Sequence, residues 1–297
     1  MSYDASASRA LAELATQRNM SISAVQRLLK EGADPFHVPN GSNNGVSAIV
    51  HASTRASAAV AREIFDACIA QVPDTPAAKQ WLDRNLGRGM RLVHVAARLG
   101  WADAIATLRE RGATLTGRDD EKQMPLRHAT DAPATPGSAS PEAAAEVLLA
   151  SMRMTRPNHE WDAAAISVDL GGGMTLAHAC AGAGLVDELA GVLRAAGEKR
   201  EALLNKRDNE DRTPLILAAQ RGHAALIEVL LESGARASVE ALQWSCLNGH
   251  ASAARALIKG GADPGELDGE GLSCADYARD EGWDDLAHEI EALGRCA

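Results

Sequence analysis

The sequence predicts an all-α fold built as a tandem array of helix pairs, not a globule around a sheet. Three observations predict it. One set of parts recurs in the same order along the 297 residues. Within the clearest copy, apolar residues fall at helical spacing. Glycines stand where each helix should stop. A single helix pair of this size buries too little apolar surface to fold alone, so stability must come from stacking on its neighbours.

The clearest copy runs from Asp208 to Ala235. Thr213 is placed to accept a hydrogen bond from an orphan N–H at a helix start. Pro214 fits the first turn, where its missing N–H costs nothing. Leu215, Ala218 and Ala219 follow at helical spacing, and the alanine pair lets neighbouring helices approach closely. Gly222 ends this first helix. Leu226, Ile227, Leu230 and Leu231 make the stripe of a second helix, which Gly234 ends.

The cap slot of Thr213 is matched by Ser47, Arg91, Met124, Thr175, Glu240 and Ser273, at successive intervals of 44, 33, 51, 38, 27 and 33 residues. The small pair recurs as Ala52-Ser53, Ala96-Ala97, Ala129-Thr130, Cys180-Ala181 and Ser245-Cys246. The first stop recurs as Gly100, Gly184, Gly249 and Gly282, and the second as Gly32, Gly112 and Gly261. About eight units follow, near 6-37, 42-80, 86-116, 119-155, 170-200, 208-237, 238-265 and 268-295, as one domain over 1-297. The end units should carry polar outer faces. Ser6, Arg9, Glu13, Gln17 and Arg18 provide one, and Arg279, Asp280, Glu281, Asp284, Asp285, Glu289 and Glu291 the other. Long intervals mark insertions near 72-81, 130-140 and 152-169, the first with an extra turn around Ala77–Trp81. Such length is either a functional loop or tolerated surface. The short interval before Glu240 leaves little chain for a turn between units and predicts a gap there.

This pattern resembles the ankyrin-repeat family. The residues that carry the resemblance are Thr213-Pro214-Leu215, Leu92-Val93-His94-Val95-Ala96-Ala97, Gly222-His223, Gly249-His250 and the Gly-Ala-Asp ends. It extends from about Ser6 to Leu293. The resemblance implies an all-α solenoid of antiparallel helix pairs with short β-hairpin-like fingers. It gives His94 and His178 a slot for hydrogen-bonding adjacent backbone, and gives His223 and His250 another structural slot. It also implies a concave recognition face made of fingers and the exposed side of each first helix.

Composition limits the function. Apolar residues are 46% and charged residues 24%, the balance of a folded chain. Lys plus Arg number 30 against 40 Asp plus Glu, a net charge of −10, which argues against a phosphate-backbone binder. Aromatics are 3%, too few for a base-stacking platform. No run is long enough to span a membrane. The five cysteines have no paired spacing, so a reducing, cytoplasmic setting is the simplest reading, with a secreted effector lacking a classical signal peptide kept beside it. The glycine triplet 171–173 lacks the Lys-Ser or Lys-Thr of a phosphate loop, and no Gly-x-Ser-x-Gly elbow occurs.

These readings lead to a non-catalytic scaffold that binds a protein, with no cofactor, metal or catalytic residue. On the face that the resemblance implies, the expected partner-binding residues are Val46, Thr54, Arg55, Met90, Arg98, Leu99, Asp120, Glu121, Gln123, Met174, Asn209, Glu210, Arg212, Gln220, Arg221, Leu247 and Asn248. Val46, Met90, Met174 and Leu272 precede the cap slots. They form either a greasy recognition stripe or packing between fingers. Alanine at Arg221 or Met174 is expected to weaken a partner and leave the fold intact. Two alternatives are kept. One is a stoichiometric inhibitor or host-directed effector that occludes a target enzyme, whose acidic balance would suit a basic target. The other is an enzyme in the insertions around 131-169, using His159, Glu160 and Asp162.

Overall fold

The computed structural model describes residues 3–17, 20–39, 45–132, 140–156 and 160–294, and of Arg55 the backbone alone. Among the described residues there are helices and turns but no strand, so the all-α expectation holds. The chain divides into two compact units, Met1–Met152 and Arg153–Ala297.

Unit 1 begins with the pair α1 (Ala5–Leu14) and α2 (Ile22–Lys30), started by Asp4, whose carboxylate accepts from Ala7 N at 2.7 Å. Next come α3 (Ala48–Arg55) with α4 (Ala58–Gln71), and the short α5 (Ala78–Leu82) inside the first insertion. The unit continues with α6 (Leu92–Arg98) and α7 (Ala102–Glu110), then α8 (Pro125–Asp131) and α9 (Pro141–Met154). First helices stack on one another, α1 on α3, α3 on α6 and α6 on α8. The small pair makes that approach possible. Ala96 and Ala97 are fully buried, as is Ala129. The insertion is pinned from outside: Arg111 donates to Ile69 O, Val72 O and Asp74, and Trp81 meets Phe36 edge-on at 5.7 Å.

Unit 2 opens with α10 (Ala163–Ile166), capped by Asp162, which accepts from Ala165 N at 2.7 Å. The pairs α11 (Leu176–Gly182) and α12 (Val186–Ala196), then α14 (Pro214–Arg221) and α15 (Ala224–Glu232), follow the sequence reading. Between them a short α13 (Arg200–Leu204) continues the chain beyond α12. The last pairs are α16 (Val239–Leu247) with α17 (Ala251–Lys259) and α18 (Cys274–Asp280) with α19 (Asp284–Gly294). First helices stack in the order α11, α14, α16, α18.

Rings after the stop glycines tie successive pairs of unit 2 together. His223 Nε2 bonds Gly182 O at 3.2 Å, and His250 Nε2 bonds Gln220 O at 3.2 Å. Trp283 takes the same place in the last pair and donates from Nε1 to Leu247 O at 3.3 Å. Each ring lies flush on the preceding glycine: a Cβ built on Gly184, Gly222 or Gly249 would come within 2.8, 2.7 and 2.6 Å of it.

The fingers are tight turns closed by one backbone bond across five residues. Leu86 N donates to Met90 O, Asp119 N to Gln123 O, Leu170 N to Met174 O, Asp208 N to Arg212 O and Asp268 N to Leu272 O. Neighbouring fingers join where Asp120 N donates to Arg88 O in unit 1 and Asn209 N to Gly172 O in unit 2. Met90 and Met174 are thereby folded under their own fingers, whereas Gln123, Arg212 and Leu272 are half-buried. Val46, Met90 and Met174 are 3%, 4% and 0% exposed and pack inside, while Leu272, the fourth residue of the proposed stripe, is half-buried.

One slot needs correction. Glu240 is not a cap. The helix begins two residues earlier at Ser238, whose hydroxyl accepts from Ala241 N at 3.2 Å, and Glu240 lies in its first turn. Chain that would build a finger has instead lengthened the helix. Among the described residues Ala235 leads to Ser238 without a closing finger bond, and Arg207 pairs with Glu240 at 3.2 Å.

Candidate functional site

The finger side of unit 1 carries a groove across α3, α6 and α8. It comprises two clefts of about 130 and 590 Å³ that share Thr54, Arg98, Glu121 and His128. Val46, Val50, His51, Arg88, Met90 and Asp119 complete the smaller one. Ser53, Leu99, Gln123 and Asp131 are among those completing the larger. Helix geometry explains the selection. Positions four and seven residues after a cap lie on one side of a helix. From Ser47 these are His51 and Thr54; from Met124 they are His128 and Asp131. Arg98 is seven residues after Arg91.

A buried hydrogen-bond pair holds the floor of the groove. His128 Nε2 meets Asp119 Oδ2 at 2.8 Å, and Asp119 Oδ1 accepts from Gln123 N at 2.8 Å. Burial alone would raise the Asp119 carboxyl, but the bonds from His128 and the Gln123 N–H outweigh it and hold it below the ordinary carboxylate value. The side chain thus fixes the finger to the helix that follows it. Asp208 does the same in unit 2. Burial again opposes ionisation, and bonds from the Arg212 guanidinium and the backbone N–H groups prevail.

His94 and His178 fill equivalent slots in the two units. His94 Nδ1 accepts from Arg91 N at 3.1 Å and Nε2 meets Gly117 O at 3.1 Å. His178 Nδ1 accepts from Thr175 N and Oγ1, and Nε2 meets Arg212 O at 3.1 Å. Each ring is therefore neutral, with its hydrogen on Nε2. Burial pushes His94 down to about 4, with nearby His128 adding to the effect, and burial pushes His178 down to about 4. The unfolded chain takes up these protons first, near the ordinary imidazole value of about 6.5. Stability is therefore complete above that value, is lost as pH falls from about 6.5 to about 4, and levels off for these groups below it. Thermal unfolding from pH 8 to 4 should show this fall, approaching about 1.4 kcal/mol per pH unit for each histidine. His94→Gln and His178→Gln should each flatten it.

The expected partner-binding residues separate into two sets. The groove brings together Val46, Thr54, Met90, Arg98, Leu99, Glu121 and Gln123, with Val46 and Met90 only as buried floor. Asp120 is exposed on the adjoining finger, and the Arg55 side chain lies outside the described residues. In unit 2, Asn209, Glu210 and Asn248 are exposed, while Gln220, Arg221 and Leu247 are half-buried. Arg212 is held between Asp208 at 2.7 Å and Glu210 at 3.0 Å, and Met174 is core. The sequence reading missed Val50, His51 and His128. It took only the far end of each first helix, whereas the spacing from the cap marks the nearer turn as well.

The insertion 152-169 holds no assembled acid–base set among the described residues. Asp162 caps α10 and pairs with Arg156 at 3.5 Å, Glu160 is exposed, and His159 lies outside the described residues. Trp161 is buried and donates to Glu188 at 2.9 Å. Among the described residues no group of three or more metal-ligating side chains occurs, and no helix is long and apolar enough to cross a membrane.

Residues 176–268 match the family model described as ankyrin repeats (3 copies). The matched stretch lies in unit 2, and the pairs of unit 1 repeat its finger bond and its histidine slot. No curated protein matches the chain.

Proposed function

Because this chain is an ankyrin-repeat protein, and such repeats generally mediate protein–protein interaction, we propose that it is a non-catalytic scaffold that holds a protein partner on its finger and first-helix face. The observation that carries the reading is the groove of unit 1, where two adjoining clefts meet on four shared residues from first helices and a finger. A surface held by buried side chains is ordered before a partner arrives, so little conformational entropy is lost on association. Asn209, Glu210, Gln220, Arg221, Leu247 and Asn248 form a second contact row in this reading. Cytoplasmic placement belongs to it too, supported by Cys68, Cys180, Cys246 and Cys274, which are buried free thiols.

The test is affinity capture with the intact chain, repeated with Thr54→Glu/Arg98→Glu and with Arg109→Glu on the second helix α7. The groove variant should lose the partner by at least about tenfold in affinity, or about 1.4 kcal/mol, while Arg109→Glu retains it. Equal retention by both would reject the groove as the binding face. If the captured partner is an enzyme, its activity with and without the chain separates a carrier from an occluding inhibitor.

A further inference from the structure

We infer that the unit 1 groove receives an acidic, extended segment of the protein partner, whose carboxylates meet Arg88 and Arg98. This rests on the binding reading above and adds the chemistry of the occupant.

The pairing of charges around the groove carries the inference. Its carboxylates are engaged by this chain. Asp119 takes His128 and the Gln123 N–H, Asp131 pairs with Arg127 at 2.8 Å, and Glu121 accepts from Gln123 Nε2 at 3.4 Å. The guanidiniums of Arg88 and Arg98 have no such counterpart: among the described residues neither is paired with a carboxylate. Arg62 and Arg111 of the same unit, by contrast, are paired, Arg62 with Asp66 and Asp103 and Arg111 with Asp74. The groove thus offers two planar donor forks, the geometry that recognises carboxylates.

The charge of each unit points the same way. Residues 1–152 hold 16 Lys plus Arg and 16 Asp plus Glu, while residues 153–297 hold 14 and 24. The net charge of −10 therefore belongs wholly to unit 2, and the unit that owns the groove is neutral. An acidic segment meets no net repulsion from unit 1, and at ordinary ionic strength distant charges are screened. Arg98 is the last residue of α6 and Arg88 lies in the finger before it, and the seven residues of α6 alone rise roughly 10 Å. An extended chain covers that rise in about three residues, so two acidic side chains at least about three positions apart suit the pair.

The experiment selects a displayed random-peptide library on the intact chain. Enriched sequences are synthesised and titrated against the intact chain, Arg88→Ala/Arg98→Ala and Arg109→Ala, with thermal unfolding confirming that each variant is folded. The expected result is a set of acidic peptides that lose affinity at least about tenfold in the double variant, bind Arg109→Ala unchanged, and weaken as salt rises. Enriched peptides that are neutral or basic yet lose binding in Thr54→Glu/Arg98→Glu would overturn the acidic occupant and leave the binding reading standing. Acidic peptides indifferent to the double variant, or no enrichment, would overturn the inference. Self-association in sedimentation that the double variant abolishes would make the occupant a second copy of the chain, and would overturn it as well.

Discussion

Replacing Gly222 by alanine should destabilise unit 2 by roughly 2–4 kcal/mol, whereas the same change at Gly282 should cost only about 1 kcal/mol. Both glycines are left-handed, with φ of 74° and 80°, so both substitutions carry the backbone penalty of an L residue in that region. Only Gly222 adds a collision. Its new Cβ would stand 2.7 Å from the His250 ring, whereas nothing lies within 4 Å of one on Gly282. The ring cannot swing away freely, because its Nε2 is bonded to Gln220 O. Relief requires breaking that bond or parting α14 from α16. Thermal or urea unfolding of the two variants side by side checks this. Equal losses would mean that the ring-on-glycine contact contributes nothing to the stack.

Met174→Ala should cost about 2–5 kcal/mol, while Arg98→Ala and Arg221→Ala stay within about 1 kcal/mol of the parent. Met174 has no exposed surface and lies under the finger closed by Leu170 N and its own carbonyl. Truncation leaves a cavity between the finger and α11. The sequence reading treats Met174 and Arg221 as interchangeable surface probes. Burial divides them, and only Arg221 remains a probe of binding. Met90→Ala should behave as Met174→Ala does, because Met90 closes the corresponding finger of unit 1 at 4% exposure. Chemical denaturation of the four variants distinguishes core from surface directly. A stable Met174→Ala would mean that the finger collapses onto the space without penalty.

Most of the fold is legible in the sequence because local chemistry dictates it. These helix stops use positive φ, which glycine adopts freely, so the glycines at 100, 184, 222, 249 and 282 mark the ends correctly. The histidine slots are legible because one ring must satisfy backbone groups on both sides, as His94 and His178 do. Even the poor cap residues Arg91 and Met124 start helices from extended backbone. Context is what the sequence hides. Glu240 sits at the right distance from Gly249, but the helix is longer, and only the fit of Ser238 against Ala241 N reveals its start. Exposure at Met90 and Met174 is misjudged because the finger folds back over each. The open guanidiniums of Arg88 and Arg98 are invisible for a different reason: a sequence counts charges, and pairing depends on which carboxylates other residues have already taken.

The central claim is that a partner sits in the groove across α3, α6 and α8. Amide hydrogen exchange of the intact chain, with and without its captured partner, tests this most directly. Protection should rise at 46–54, 88–99 and 119–131, with the second helices α4 and α7 unchanged. Protection confined to α4, α7 and α9, with those three stretches unaltered, would contradict it.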